Sequence, residues 1–90
     1  MICSFAHKGL ERFFLKSSQS GIQAKHASRL RLILDRLSTA VAPEDINLPD
    51  LALHQLAGVR VGIGSVKVSG NWRVMFRFVG QHAEVVNYED

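Results

Sequence analysis

Val66-Lys67-Val68-Ser69-Gly70-Asn71-Trp72-Arg73-Val74-Met75-Phe76-Arg77-Phe78 is the stretch that decides the fold. After Trp72 the residues alternate, so Trp72, Val74, Phe76 and Phe78 point to one face of a strand and Arg73, Met75 and Arg77 to the other. Ser69, Gly70 and Asn71 supply the turn, because glycine and asparagine tolerate the positive φ that tight hairpin connections demand. The stretch reads as a β-hairpin with one core face and one cationic face.

Working outward, residues 60–68 form the first arm, and residues 79–82 turn the chain into a last strand over 83–88. Upstream, residues 2–5 are short and apolar and predict a first strand. The period then changes. Leu10, Phe13 and Phe14 fall at helical spacing within 7–17, with Lys8, Glu11, Arg12 and Lys16 outward. A polar break over 17–21 ends that helix. Ser20 followed three residues later by Gln23 has the form of a capping box, which predicts a second helix starting there. Its stripe is Ala27, Leu30, Leu34, Leu37 and Val41, widened by Ile33, while Lys25, Arg29 and Arg36 share another face. That cationic row suits either a solubilising surface or a contact with phosphates or an acidic partner.

Two helices joined by five polar residues predict an antiparallel helical hairpin whose apolar stripe needs a sheet to cover. Pro43 ahead of Glu44 and Asp45 suits one helical turn, and residues 51–56 alternate around Leu51, Leu53 and Leu56 with His54 between them. The order predicts an α+β fold in which two N-terminal helices pack on a mainly antiparallel sheet.

Ninety residues predict a single domain over 1–90, since a chain of this size buries only about 60–65% of its unfolded surface. No run approaches the roughly 20 apolar residues of a membrane span, and the first residues lack the basic start and apolar middle of a signal peptide. A soluble cytoplasmic protein without membrane contacts is expected. The lone Cys3 has no partner for an internal disulfide and reads as a small buried hydrophobe.

The net charge of +3 hides a segregated pattern. Residues 1–36 carry seven Lys/Arg against Glu11 and Asp35, and residues 60–81 carry Arg60, Lys67, Arg73 and Arg77 with no acid. The other acids sit in 37–59 and 82–90. Basic helices and basic central strands favour a polyanion or an acidic protein as partner.

His7, His26, His54 and His82 lack the close spacing of a zinc site, so no metal is expected. Gly58, Gly62 and Gly64 match neither a dinucleotide fingerprint nor a P-loop and read as strand glycines, so no cofactor is expected. What remains suits phosphodiester chemistry: His54, Asn71, Arg60, Arg73, Arg77 and Asp90. Cleaving RNA through its own 2′-hydroxyl needs a base, cations for the charge building on phosphate, and an acid for the departing 5′-oxygen. Histidine titrates near working pH, and arginine forks two hydrogen bonds to a phosphate. Each residue also has an ordinary structural use: His54 at a strand edge, Asn71 in the turn, Arg73 paired with Glu84 or Glu89, Asp90 as a frayed end.

Met1-Ile2-Cys3-Ser4-Phe5, His7-Lys8-Gly9-Leu10, Gly21-Ile22-Gln23-Ala24-Lys25-His26-Ala27, Leu53-His54-Gln55-Leu56-Ala57-Gly58, Val68-Ser69-Gly70-Asn71-Trp72-Arg73 and Val86-Asn87-Tyr88-Glu89-Asp90 together resemble the HigB toxins, the plasmid maintenance killer branch of the RelE superfamily. The resemblance spans nearly the whole chain, and the Ser-Gly-Asn-Trp-Arg and Asn-Tyr-Glu-Asp segments are its specific part. It implies a microbial-RNase-like fold and a toxin that enters the ribosomal A site and cleaves the bound mRNA. It also implies neutralisation by a HigA-like helix-turn-helix antitoxin, with DNA reached only through that antitoxin.

Residue by residue, the resemblance implies catalytic roles for His54, Asn71, Arg73 and Asp90. Arg60, Lys67 and Arg77 are then candidates for phosphate binding, and Lys25, Arg29 and Arg36 for the antitoxin. The chain departs from the family pattern in three places. Ala57 stands where the family has a lysine, Gly64 where a tryptophan is common, and the sequence stops at Asp90 where the family continues with Tyr-His. These departures lead to the expectation of an attenuated toxin, with a catalytically inert RNA- or antitoxin-binding module that takes part in operon autoregulation as the alternative.

Overall fold

The hairpin forms. In the computed structural model, which describes residues 1–46, 54–55 and 63–90 (by backbone alone for Pro43, His54 and Gln55), strands β2 (Ile63–Ser69) and β3 (Trp72–Val79) pair antiparallel with Lys67 opposite Arg73 and Ser69 opposite Trp72. Gly70 and Asn71 make the connection. Gly70 takes φ 56°, a value a residue with a Cβ resists. A second two-residue turn, Gly80-Gln81, joins β3 to β4 (His82–Glu89). On the other flank β1 (His54–Gln55) pairs with β2 at Ser65 and Gly64, giving an antiparallel sheet in the order β1-β2-β3-β4.

Strand β4 carries a bulge. Met75 faces Asn87 but Arg77 faces Glu84, so Val85 and Val86 together oppose Phe76. The extra residue switches the parity of the strand: Ala83, Val86 and Tyr88 are buried, and Val85 is turned out with φ 50°. Plain alternation over 83–88 would instead put Ala83 on the face opposite Val86 and Tyr88.

Residues 2–5 do extend the sheet beyond β4, as two isolated parallel bridges, Ile2 with Ala83 and Phe5 with Val86. Backbone hydrogen bonds from Cys3 N to Ala83 O, Ala83 N to Met1 O and Ala6 N to Val86 O, each 2.8 Å, hold them. Ile2 and Phe5 pack on the core, which leaves Cys3 exposed, contrary to the buried hydrophobe expected.

Helix α1 (Lys8–Lys16) is capped by His7, whose Nδ1 accepts from Leu10 N at 3.0 Å, and ends on Ser17 at φ 58°. Helix α2 (Ala27–Thr39) follows a 3-10 turn, Ala24–His26. The expected capping box is absent: Gln23 makes no side-chain cap, and the Ser20 hydroxyl bonds Ser18 instead. The helix is instead entered from His26, the last residue of the 3-10 turn, whose side chain is buried and makes no cap. Arg31 reaches from α2 to α1, donating to Ser17 Oγ at 2.8 Å with its guanidinium 4.6 Å from the Phe13 ring centre. In the first turn of α1, Gly9 meets the backbone of Gly21 so closely that a Cβ there would lie 2.4 Å from the Gly21 carbonyl oxygen.

The α2 stripe is buried as read at Leu30, Ile33, Leu34 and Leu37. Each is worth about 1.5–3 kcal/mol relative to exposure. Val41 departs from the stripe at 53% exposure, because Ala40 turns extended and the Asp45 carboxylate takes Val41 N and Ala42 N into the 3-10 turn Pro43–Ile46. Helix and strand residues share one cluster: Leu10 and Phe13, the four α2 residues, Ile46, Val66, Val68, Val74, Phe76, Ala83, Val86 and Tyr88. Among the described residues no helix is long and apolar enough to cross a membrane.

Candidate active site

The inward residues of β3 fix where its outward ones stand. With Val74 and Phe76 in the core, Arg73, Met75 and Arg77 lie on the opposite face of the sheet. There the register sets out rows. Lys67, Arg73 and Glu89 form one, and Ser65, Met75 and Asn87 the next, with the His54 backbone opposite Ser65 at its edge. Ile63, Arg77 and Glu84 form the third. Successive rows on one face are roughly 6.8 Å apart along the strand. Met75, on this face as the alternation predicts, is only 9% exposed and forms an apolar floor between the two arginines.

Lys67 and Arg73 sit directly opposite one another, an arrangement that like charges resist. Glu89 flanks Arg73 on the other side, and Asp90 follows it, exposed, at the end of β4. Asn71 stands exposed at the hairpin tip, adjoining Arg73 through Trp72. The structure thus brings Lys67, Arg73 and Arg77 onto one face, with Asn71 and Asp90 at one end of it. Arg60 and Ala57 lie outside the described residues, as does the His54 side chain.

The tip is anchored from beneath. Trp72 stacks on Tyr88, with ring centres 4.6 Å apart and planes at 29°, and His26 meets both rings edge-on. His26 Nδ1 and the Tyr88 hydroxyl share a hydrogen bond of 2.5 Å, while the buried His26 Nε2 has no hydrogen-bond partner among the described residues. Burial, and secondarily the charge of Lys25, lower the His26 pKa. Burial raises that of Tyr88, against a smaller opposing effect from a backbone hydrogen bond at Gln23. None of the three stood out in the sequence as a site residue, although the inward alternation of Trp72 pointed to its packing.

Of the helical cations, Lys25 lies exposed in the 3-10 turn and Arg36 exposed on α2. Arg29 is half-buried, and its Nε donates to the Lys67 carbonyl at 3.4 Å. This bond ties the helical row to the strand that carries Lys67. Among the described residues no group of three His, Cys, Asp or Glu side chains is placed to hold a metal ion.

Beside Arg73 the sheet face is concave. A cavity of about 330 Å³ is lined by Ala6, Ile63, Met75, Phe76, Arg77, Val85, Asn87 and Glu89. Val85, Asn87 and Glu89 share one parity of β4, but only the pairing of β4 with β3 brings them beside Met75 and Arg77.

Residues 3–90 match the model of the HigB-like toxins, described as the RelE-like toxin of the type II toxin-antitoxin system HigB. The chain is also 40% identical over 90 residues to the endoribonuclease HigB of Proteus vulgaris, covering 100% of this chain and 98% of that protein. A match of nearly full length in both comparisons shows that the chain belongs to the HigB-like family of RelE-like toxins of type II toxin-antitoxin systems.

Proposed function

We propose that this protein is a cytoplasmic endoribonuclease that enters the ribosomal A site and cuts the mRNA bound there, with the outer face of the sheet as its RNA-binding face. The observation that carries the reading is the juxtaposition of Lys67 and Arg73 in one row of the sheet. Two like charges held face to face are relieved when an anion lies over both, and a phosphodiester is the anion that fits a forked guanidinium. Family membership and a relative named as an endoribonuclease support the same substrate.

In the proposed reaction the RNA 2′-oxygen attacks phosphorus, the bond to the 5′-oxygen breaks, and a 2′,3′-cyclic phosphate remains. The proton of the 2′-hydroxyl leaves to a base, and the departing 5′-oxygen receives one from an acid. His54 and Asp90 are the proton carriers in this reading. Arg73 stabilises the charge that builds on the non-bridging oxygens, and Asn71 orients the nucleotide. Arg60, Lys67 and Arg77 hold flanking phosphates. A HigA-like antitoxin neutralises the protein through the Lys25, Arg29 and Arg36 row.

The test is cleavage of mRNA on programmed ribosomes by the 90-residue chain and by Arg73→Ala. A loss of about 10²-fold or more with an unchanged melting temperature is expected, as for other transition-state donors. Equal cutting of free RNA would refute ribosome dependence. RNA binding without cleavage by the unmodified chain would favour an inert binding module.

A further inference from the structure

The groove beside Arg73 has walls of two chemistries. Ile63, Met75 and Val85 are apolar, whereas Glu89 and Arg77 bring opposite charges to its lining. The Glu89 carboxylate is held in place: Asn87 Oδ1 accepts from Tyr88 N at 2.9 Å, which fixes the amide, and Asn87 Nδ2 donates to Glu89 Oε2 at 3.3 Å. The other carboxylate oxygen is left as an acceptor, and Glu89 lines the same groove as Met75.

The Val85 wall is over-determined in the same way. A β-branched residue at φ 50° is strained, yet the Ser4 hydroxyl accepts Val85 N at 2.9 Å and the Ser4 carbonyl accepts Val86 N at 3.1 Å, locking the bulge. Strain held by its surroundings and bulges beside sites both gather where a ligand is clamped.

We propose that this groove is a nucleobase subsite of the RNA-binding face, specific for a base bearing an exocyclic amino group. The ring lies on Met75, Val85 and Ile63, the amino group donates to Glu89, and Arg77 pairs with the adjoining phosphate. A base presenting a carbonyl there meets the carboxylate acceptor to acceptor and is rejected. The site deepens the endoribonuclease reading and rests on it for its ligand.

Binding of short 2′-O-methyl oligoribonucleotides, which lack the attacking hydroxyl, tests the subsite apart from catalysis. Each position is changed in turn from cytosine to uracil or from adenine to hypoxanthine, which replaces the amino group by a carbonyl and turns the adjoining ring-nitrogen acceptor into an N–H donor. At one position the change should weaken binding about tenfold. Glu89→Gln should reduce that discrimination to under about twofold, because an amide can rotate to serve either base. Met75→Ala should weaken both members of each pair alike. Absence of binding, absence of any discriminating position, or discrimination that survives Glu89→Gln overturns the subsite. So does a pair of groove variants that loosen the antitoxin and leave base discrimination intact. If discrimination appears while matching 2′-hydroxyl mRNA stays whole on ribosomes, the subsite stands and the cleavage reading fails.

Discussion

His26 is 2% exposed and carries its imidazole between Trp72 and Tyr88. Its pKa in the folded chain lies below the ordinary histidine value of about 6.5, so in the window beneath that value the unfolded chain binds the proton that the native one refuses. Stability is therefore fully present above about pH 6.5 and is lost as the pH falls from there toward the lowered native value. Denaturant melts between pH 5 and 8 should show this loss, and His26→Phe should flatten that component of the slope. A slope unchanged in His26→Phe would assign it to another group.

At the scale of the element, the two hairpins and the bulge differ in how they use the left-handed region. Gly70 and Gly80 enter it at little cost, whereas Val85 enters it against its β-branched Cβ, a strain of about 1–3 kcal/mol. Val85→Gly should relieve that strain and raise stability by up to about 1 kcal/mol in urea melts, while removing one wall of the groove and weakening RNA binding. A destabilised Val85→Gly would mean that the side chain contributes more by packing than it costs by strain. The same elements show what was legible in the chain. Leu30, Ile33, Leu34 and Leu37 announced α2 because a period of 3.6 survives any detail of its neighbours, and the turn at Gly70-Asn71 announced itself by residue type. The bulge left no such mark: one extra residue in β4 is defined only by the partner strand it faces. Ser20 and Gln23 carried the local form of a cap, but α2 is entered from His26, whose burial is a tertiary event.

Across the whole molecule the charges sort by face. Lys67, Arg73 and Arg77 stand on the outer sheet face with Glu84 and Glu89 beside them, and Lys25, Arg29 and Arg36 belong to the helical layer. For single-stranded RNA the dependence of log affinity on log salt is about −0.7 per neutralised phosphate, so three strand cations predict a slope near −2. Arg77→Ala should lower its magnitude by about 1 or less and weaken all sequences alike in a salt titration, whereas an unchanged slope would place the RNA elsewhere. The alternation after Trp72 showed where Arg73 and Arg77 stand and left Glu84 or Glu89 as the acid across from Arg73; the register chooses Glu89. Glu89 and Asn87 became neighbours of Arg73 and Arg77 only once β3 and β4 had paired.

The chain is also stitched between its two ends. Residues 2–5 hydrogen-bond to residues 83–86, and His26 meets Tyr88 across 62 positions of sequence. Contacts of such separation form late and slowly, because the entropy of closing a long loop is spent before they reward it. A nascent chain whose residues 83–88 have not yet emerged can wind its helices. It cannot seat Tyr88 under the hairpin tip or raise the groove wall at Val85. Translation of β4 is thus the step that completes the sheet, and until then the ribosome synthesising it holds a chain whose proposed RNA-binding face is unfinished.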